Sequence, residues 1–385
     1  MSSLIVEICK VNEVKIHSNA DNLDLCIVKG WQTVIKKDSL KVGDVVVYIP
    51  PDCLLEEAFA IKVGVQNYLH KQRVKSIKLR GEYSHGIVLP LPSLPELKKC
   101  KVGDNVADIL KIKKWEPTLA GNSLLSPKDE KKLHEIAAFP KYTEIENYRH
   151  FNDLFLDEEE VVVTEKIHGS NSRVGLVNGK WECGSHNVRK YITITKLMSV
   201  KWYIKSLGWR ALFNINNIIK RYRNYPKKEN IYAYPLEYPR VKEMLEMVSR
   251  NTKATSIVLY GEIFGDVQDL KYGRKSGEYD YVAFDIKVNG TYLNYDEFVD
   301  MCSRFNIPYV PLIKNELWKN IKDKLKTYVS GNTLIKDREG NEVNQMREGI
   351  VIKPLIERNN SKVGRVILKY IGDEYLTRKC GTENK

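Results

Sequence analysis

The chain has 385 residues, 43% hydrophobic and 29% charged, enough for two or three domains that each bury a core. Its 14 Pro and 23 Gly argue against disorder or a fibrous repeat. No apolar run approaches a membrane helix, and Met1 to Asn12 lack a signal-peptide layout. The 62 Lys+Arg against 49 Asp+Glu leave +13, which favours a polyanionic partner. Seven scattered cysteines without C-x-x-C spacing speak against zinc and disulfide frameworks. They suit a reducing compartment, cytoplasm or nucleus by default.

In chain order, Val6 to Ile16, Leu23 to Val28, Gln32 to Ile35, Val45 to Tyr48 and Ile87 to Leu89 read as short strands separated by turns. Five short strands in about 100 residues suit a small closed β-barrel, with the OB-fold the leading candidate beside other small barrels. A Gly-, Ser- and Pro-containing linker, Glu116-Pro117 to Ser126-Pro127, then sets a boundary. The expected domains are 1–117 and 118–385.

The second domain reads as α+β. Val161 to Thr164 is a strand, and Ser172 to Val177 and Lys180 to Cys183 flank Asn178-Gly179, a two-residue hairpin signal. Asn289-Gly290 repeats the device between Val282 to Val288 and Tyr292. Ile257 to Tyr260, Gly349 to Lys353 and Arg365 to Tyr370 are further strands, and Val241 to Val248 and Asn294 to Phe305 are helical.

From Cys183 to Lys228 there are eleven Lys or Arg and no Asp or Glu, interleaved with Trp202, Tyr203, Trp209, Phe213, Tyr222 and Tyr225. Leu197, Val200, Ile204 and Leu207 have the spacing of a buried helix face, so a helix pair with solvated lysines is one reading. The long absence of acids favours a surface that tracks phosphates, with Lys201, Lys205, Arg210, Arg221 and Arg223 as its contacts.

No P-loop, dinucleotide-binding glycine pattern, H-E-x-x-H or G-x-S-x-G is present. What stands out is Thr164-Glu165-Lys166-Ile167-His168-Gly169-Ser170-Asn171, where an apolar strand runs into a charged, glycine-containing turn. It resembles the K-x-[D/H]-G nucleophile motif of the covalent nucleotidyltransferases, in the form used by the RNA ligase 2-like branch. Phe139-Pro140-Lys141-Tyr142 and Ile145-Glu146-Asn147 precede it. Tyr260 to Gly265, Tyr281 to Asp285, Arg347 to Lys353 and Val366 to Lys369 follow in that family's order. The segments His17 to Asp24, Gly30-Trp31-Gln32, Val42-Gly43-Asp44 and Gly81 to Gly86 resemble the N-terminal OB domain of the Deinococcus and Naegleria type of RNA ligase. Two positions depart from the pattern. Ser185-His186-Asn187 stands where Ser-Arg-Asn is usual, with Arg189, Arg173 or His186 as substitutes, and the last motif carries one lysine, Lys369, instead of two.

The resemblance implies an ATP-dependent RNA ligase that uses Mg2+ or Mn2+ and acts on RNA ends or a nicked duplex, in RNA repair, with no membrane and no obligate protein partner. Lys166 would be the nucleophile, taking AMP from ATP as a phosphoramidate. Glu262 and Glu348 would hold the metal, and Lys353 and Lys369 would neutralise the phosphates. Phe284 would stack on adenine and Glu165 would orient the base. His168 and Asn171 would act as AMP passes to a 5′-phosphate. A lysine with a reference pKa of about 10.4 must be brought down by roughly 3 units to attack at neutral pH, which requires nearby positive charge or burial. A GTP-using capping guanylyltransferase and a non-catalytic RNA-binding protein on a ligase scaffold are the alternatives.

Overall fold

In the computed structural model, which describes residues 3–115, 133–193, 200–201, 204, 215–224 and 230–378, the N-terminal strands form two three-stranded antiparallel sheets. One orders Glu7–Lys10, Val45–Ile49 and Ile87–Pro90, and the other Glu13–Ile16, Leu23–Val28 and Trp31–Lys36. The expected single strand from Val6 to Ile16 is broken at Val11 and Asn12. Its first half pairs with Val45–Ile49 and its second with Leu23–Val28, so the chain passes from one sheet to the other, as at a barrel corner. Val6, Ile8, Val47, Ile49, Leu55 and Leu97 fill one side of the core, and Val28, Trp31, Val46 and Tyr48 fill the other.

The chain divides into two compact units. The first comprises Met1–Thr118, Glu144–Leu154 and Leu368–Lys385, and the second Leu119–Thr143 and Phe155–Ile367. The short segments join the first unit through side chains far apart in sequence. Ser3 donates to the Glu146 carboxylate at 2.9 Å, and Glu146–Asn147 runs parallel to Leu368–Ile371. The buried Arg149 guanidinium lies 3.8 Å above the Trp31 ring and 4.7 Å from that of Tyr370, and donates to Asp373 at 2.6 Å.

In the second unit a six-stranded antiparallel sheet orders Arg189–Lys190, Lys180–Ser185, Ser170–Val177, Ser256–Gly265, Tyr279–Val288 and Thr291–Tyr292. Both Asn-Gly pairs form the expected two-residue turns with positive φ at each residue, 48° and 73° at Asn178-Gly179 and 46° and 90° at Asn289-Gly290. Glu160–Lys166 pairs antiparallel with both Leu312–Leu317 and Gly349–Pro354. Val161 to Glu165 are buried without alternation, as expected of a strand covered on both faces. Val162 joins Val174, Ile257, Leu259 and Ile263 in the main core, which the Pro239–Thr252 helix covers through Val241, Met244 and Leu245. Asn294 and Glu297 close a capping box on the Tyr295–Arg304 helix. The expected continuous strand from Arg365 to Tyr370 splits into Gly364–Arg365 and Leu368–Ile371.

No helix among the described residues is long and apolar enough to cross a membrane, and the six described cysteines are free. In the acid-free tract Val200 is buried but Ile204 is 40% exposed, against the expected buried face. Leu197 and Leu207 lie outside the described residues.

Candidate active site

Strand alternation decides which side chains can meet. Lys166 ends its strand opposite Gly349, so Glu348, one residue earlier, reaches the same end. The Lys166 Nζ donates to Glu348 Oε1 at 2.7 Å, with Lys166 a quarter exposed and Glu348 buried. Beyond Lys166 the chain turns through Ile167-His168-Gly169 against the Ser256–Gly265 strand. A Cβ on Gly169 would lie 2.2 Å from the Ile263 carbonyl oxygen, so only glycine fits this close approach. The turn leads into Ser170–Val177, where Asn171 pairs opposite Glu262. Burial pushes the Glu262 carboxyl up to about 8, Lys166 pulls it down and Glu348 pushes it up again. Lys166, His168, Asn171, Glu262 and Glu348 thus gather from three strands, one turn and the residue that leads into a fourth strand.

His168 is 4% exposed. Its Nε2 lies 2.8 Å from Asp269 Oδ1 and its Nδ1 is 4.0 Å from Glu348 Oε2. Its backbone N–H donates to the fully buried Tyr272 hydroxyl at 2.7 Å, and Gln268 Nε2 donates to the Gly169 carbonyl at 3.3 Å. The sequence reading missed Gln268, Asp269 and Tyr272. The only local signal was their place in the run Gly265 to Gly273, directly after the Glu262 strand.

Among the other expected members, Glu165 and Lys353 point elsewhere. Glu165 precedes Lys166 on a strand and therefore faces the other side. Its carboxylate accepts from the Leu334 N–H at 2.7 Å, and burial raises its pKa. Phe284 is half-buried, 4.7 Å edge-on from Tyr142. Lys353 is not presented to solvent. It is 5% exposed and donates to Asp285 at 2.6 Å and to Glu357 at 3.3 Å. Arg365 donates to Asp285 at 2.9 Å, and Tyr142 donates to the same carboxylate at 2.5 Å. Turning the Arg365 side chain into this buried network accompanies the split of the strand beside it.

The arginines offered as substitutes for the missing one are committed. Arg173 is fully buried and donates to the Phe139 and Ser185 carbonyls and to Glu135. Arg189 forks onto Glu182 at 2.6 and 2.7 Å. His186 is half-buried on the Ser185–Val188 turn. Lys369 belongs to the first unit, opposite Asn147. Lys201 is exposed, Arg221 and Arg223 fall on the Ile215–Asn224 helix, and Lys205 and Arg210 lie outside the described residues.

The donor set suits a hard divalent cation. Glu348 Oε2 and Asn171 Oδ1 are buried acceptors with no hydrogen-bond partner among the described residues, and Glu262 stands beside them. No group of three or more His, Cys, Asp or Glu is preformed for a metal among those residues. A Mg2+ that keeps its waters needs only one or two carboxylates.

A family model described as RNA ligase matches residues 159–371, more than half of the chain. One described as an OB-fold domain matches residues 5–91. None of the curated proteins matches. Among solved structures, the chain is similar to Naegleria gruberi RNA ligase. A mutant of that enzyme with AMP and Mn gives a TM-score of 0.72 at 23% identity, over 97% of this chain and 98% of that one. A mutant with ATP and Mn gives 0.68 at 24% identity, over 97% and 98%. An apo mutant gives 0.71 at 23%, over 98% of both chains. The fold is therefore an N-terminal OB-fold followed by a sheet-rich α+β domain.

Proposed function

The chain belongs to the RNA ligase family, and from that premise we propose that it joins RNA 3′-OH and 5′-phosphate ends with ATP, through a Lys166–AMP adduct, in RNA repair. The observation that carries this reading is the Lys166–Glu348 pair at 2.7 Å, with Glu348 Oε2 and Asn171 Oδ1 buried and without hydrogen-bond partners among the described residues. Naegleria gruberi RNA ligase has been solved with ATP and Mn and with AMP and Mn, which supports the choice of nucleotide and a divalent cation.

Lys166 Nζ attacks the α-phosphorus of ATP as the bond to pyrophosphate breaks. An RNA 5′-phosphate oxygen then attacks that phosphorus and breaks the P–N bond. Finally a 3′-OH attacks the adenylylated 5′-phosphate and expels AMP. For the first step Lys166 must be released from Glu348, because a carboxylate partner favours the ammonium form. Glu348 and Glu262 would hold Mg2+ or Mn2+, which supplies positive charge beside the lysine and the reacting phosphate. Phe284 stacks on adenine, and Asn171 hydrogen-bonds the nucleotide. Lys353 supports Phe284 through Asp285, the next residue on its strand. Lys201, Lys205, Arg210, Arg221 and Arg223 hold the RNA backbone.

The test is incubation with Mg2+ and α-labelled ATP or GTP, followed by a nicked duplex with RNA at the 3′-OH side. Label transferred from ATP, lost in Lys166→Ala, and a sealed nick are expected. Labelling by GTP alone would replace this reading with a capping activity, and no adduct from either nucleotide would end the enzymatic one.

A further inference from the structure

We propose that Asp269 is a positioning residue that fixes the tautomer and aim of His168. This rests on the ligase reading for its step in the reaction but not for its geometry. A histidine ring nitrogen held by a carboxylate carries the proton, and the other nitrogen then presents its lone pair. Asp269 Oδ1 lies 2.8 Å from Nε2, so Nε2–H faces Asp269 and Nδ1 faces the Lys166–Glu348 end of the site, 4.0 Å from Glu348 Oε2. The ring is buried and has little freedom to choose otherwise.

The loop that carries Asp269 is built to hold position. Tyr272 Oη accepts from the His168 N–H, and Tyr272 N donates to Gln345 Oε1 at 2.9 Å. Gln268 anchors the Gly169 carbonyl. Farther along, Asp266 pairs with Lys271 and accepts from the Gly277 N–H at 2.8 Å. Three contacts from residues 268 to 272 thus clamp His168 and Gly169. Two hold the backbone, and the Asp269 bond reaches the ring. Asp269 acts through His168 in the step where AMP leaves Lys166 for the RNA 5′-phosphate.

Two measurements on the full chain test it. Nitrogen-15 NMR of the imidazoles, with His168→Ala to assign the signal, reads the tautomer directly. The wild type should show the Nε2–H form and Asp269→Ala a mixture. Asp269→Asn, whose amide oxygen still accepts, should match the wild type. An unchanged tautomer in Asp269→Ala would overturn the proposal. The second measurement is single-turnover transfer of AMP from Lys166 to a nicked RNA. Asp269→Ala should slow transfer by a factor like that of His168→Ala, roughly 100-fold, while forming the lysine adduct normally. The double variant should be no slower than the slower single one, and Asp269→Asn should restore the rate. Losses that multiply, or normal transfer in Asp269→Ala beside slow transfer in His168→Ala, would also overturn it. A wild type that forms no adduct would defeat the ligase reading, and the NMR result would then decide the positioning role by itself.

Discussion

Lys353→Met tests whether this lysine is a buried partner or a phosphate ligand. Asp285 is 1% exposed and draws on Lys353 Nζ, Arg365 Nη2 and the Tyr142 hydroxyl, while Glu357 shares both cations. Removing the lysine leaves two carboxylates and one guanidinium in a dry site. Breaking a buried pair from one side costs about 3 to 5 kcal/mol. Asp285 keeps Arg365 and Tyr142, so the lower end, about 3 kcal/mol, applies. For a unit of this size that corresponds to a fall of roughly 6 to 12 °C in Tm.

The loss should also depend on pH. Burial alone would raise the Asp285 carboxyl, but Arg365 and Lys353 outweigh it and hold it below the usual range. A depressed carboxyl adds stability above its unfolded pKa of about 3.9 and loses it as pH falls through the folded value. Without Lys353 that contribution shrinks. The gap between variant and wild type should therefore be widest above about pH 5 and narrow only as pH falls toward the depressed folded value, below the unfolded one of about 3.9. Scanning calorimetry from pH 3.5 to 8 measures it, and Asp285→Asn added to Lys353→Met should recover part of the loss. A Lys353→Met protein that melts with the wild type yet takes no AMP would refute the reasoning and return Lys353 to the phosphates.

Glu262→Gln should gain stability as pH rises. The carboxyl is pushed up to about 8, so from about pH 4.5 upward the unfolded chain releases a proton that the folded one keeps, and the native state weakens through pH 8. Urea titrations of both proteins should diverge across that window, and parallel curves would contradict the burial of this group. Gly169→Ala drives a methyl into the Ile263 carbonyl and should cost about 1 to 3 kcal/mol along with the lysine adduct. Full adduct formation would show that the turn yields. Replacing Lys201, Lys205, Arg210, Arg221 and Arg223 with Gln should lower the salt slope of RNA binding by roughly 0.7 per lost contact and spare lysine adenylylation. An unchanged slope would make the tract ordinary surface.

How far the sequence reached depended on whether the determining contacts were local. Asn178-Gly179 and Asn289-Gly290 announced their hairpins because a two-residue turn needs positive φ at both positions. Lys166, Glu262 and Glu348 were found as motif members, and register then joined them, since Lys166 opposes Gly349 and Asn171 opposes Glu262. What no motif carried was orientation. Glu165 was grouped with Lys166 because it is adjacent, yet adjacency on a strand places two side chains on opposite faces. Lys353 was assigned to phosphate by its charge, and its charge is already satisfied by Asp285 and Glu357. Segments 144–154 and 368–385 were given to the second domain because nothing in their composition shows that Arg149 stacks between Trp31 and Tyr370.

The same distinction separates the residues that react from those that aim them. A motif reports side chains whose type the proposed chemistry would fix, so Lys166 and Glu348 are visible in one sequence. A supporting residue needs only the right atom at the right distance, which Asp, Tyr and Gln supply here from one loop. Its identity follows from packing, and packing is long-range. Arg173 makes the point in reverse. By type it could replace the arginine whose place His186 takes, but complete burial and three committed hydrogen bonds remove it from any phosphate. Substituting lysine there should therefore act on folding, because a single ammonium cannot reproduce a planar fork that reaches Phe139, Ser185 and Glu135 at once. ATP affinity in the folded fraction should stay unchanged, which titration of that fraction would measure, and a raised Kd without loss of Tm would place Arg173 at the nucleotide after all.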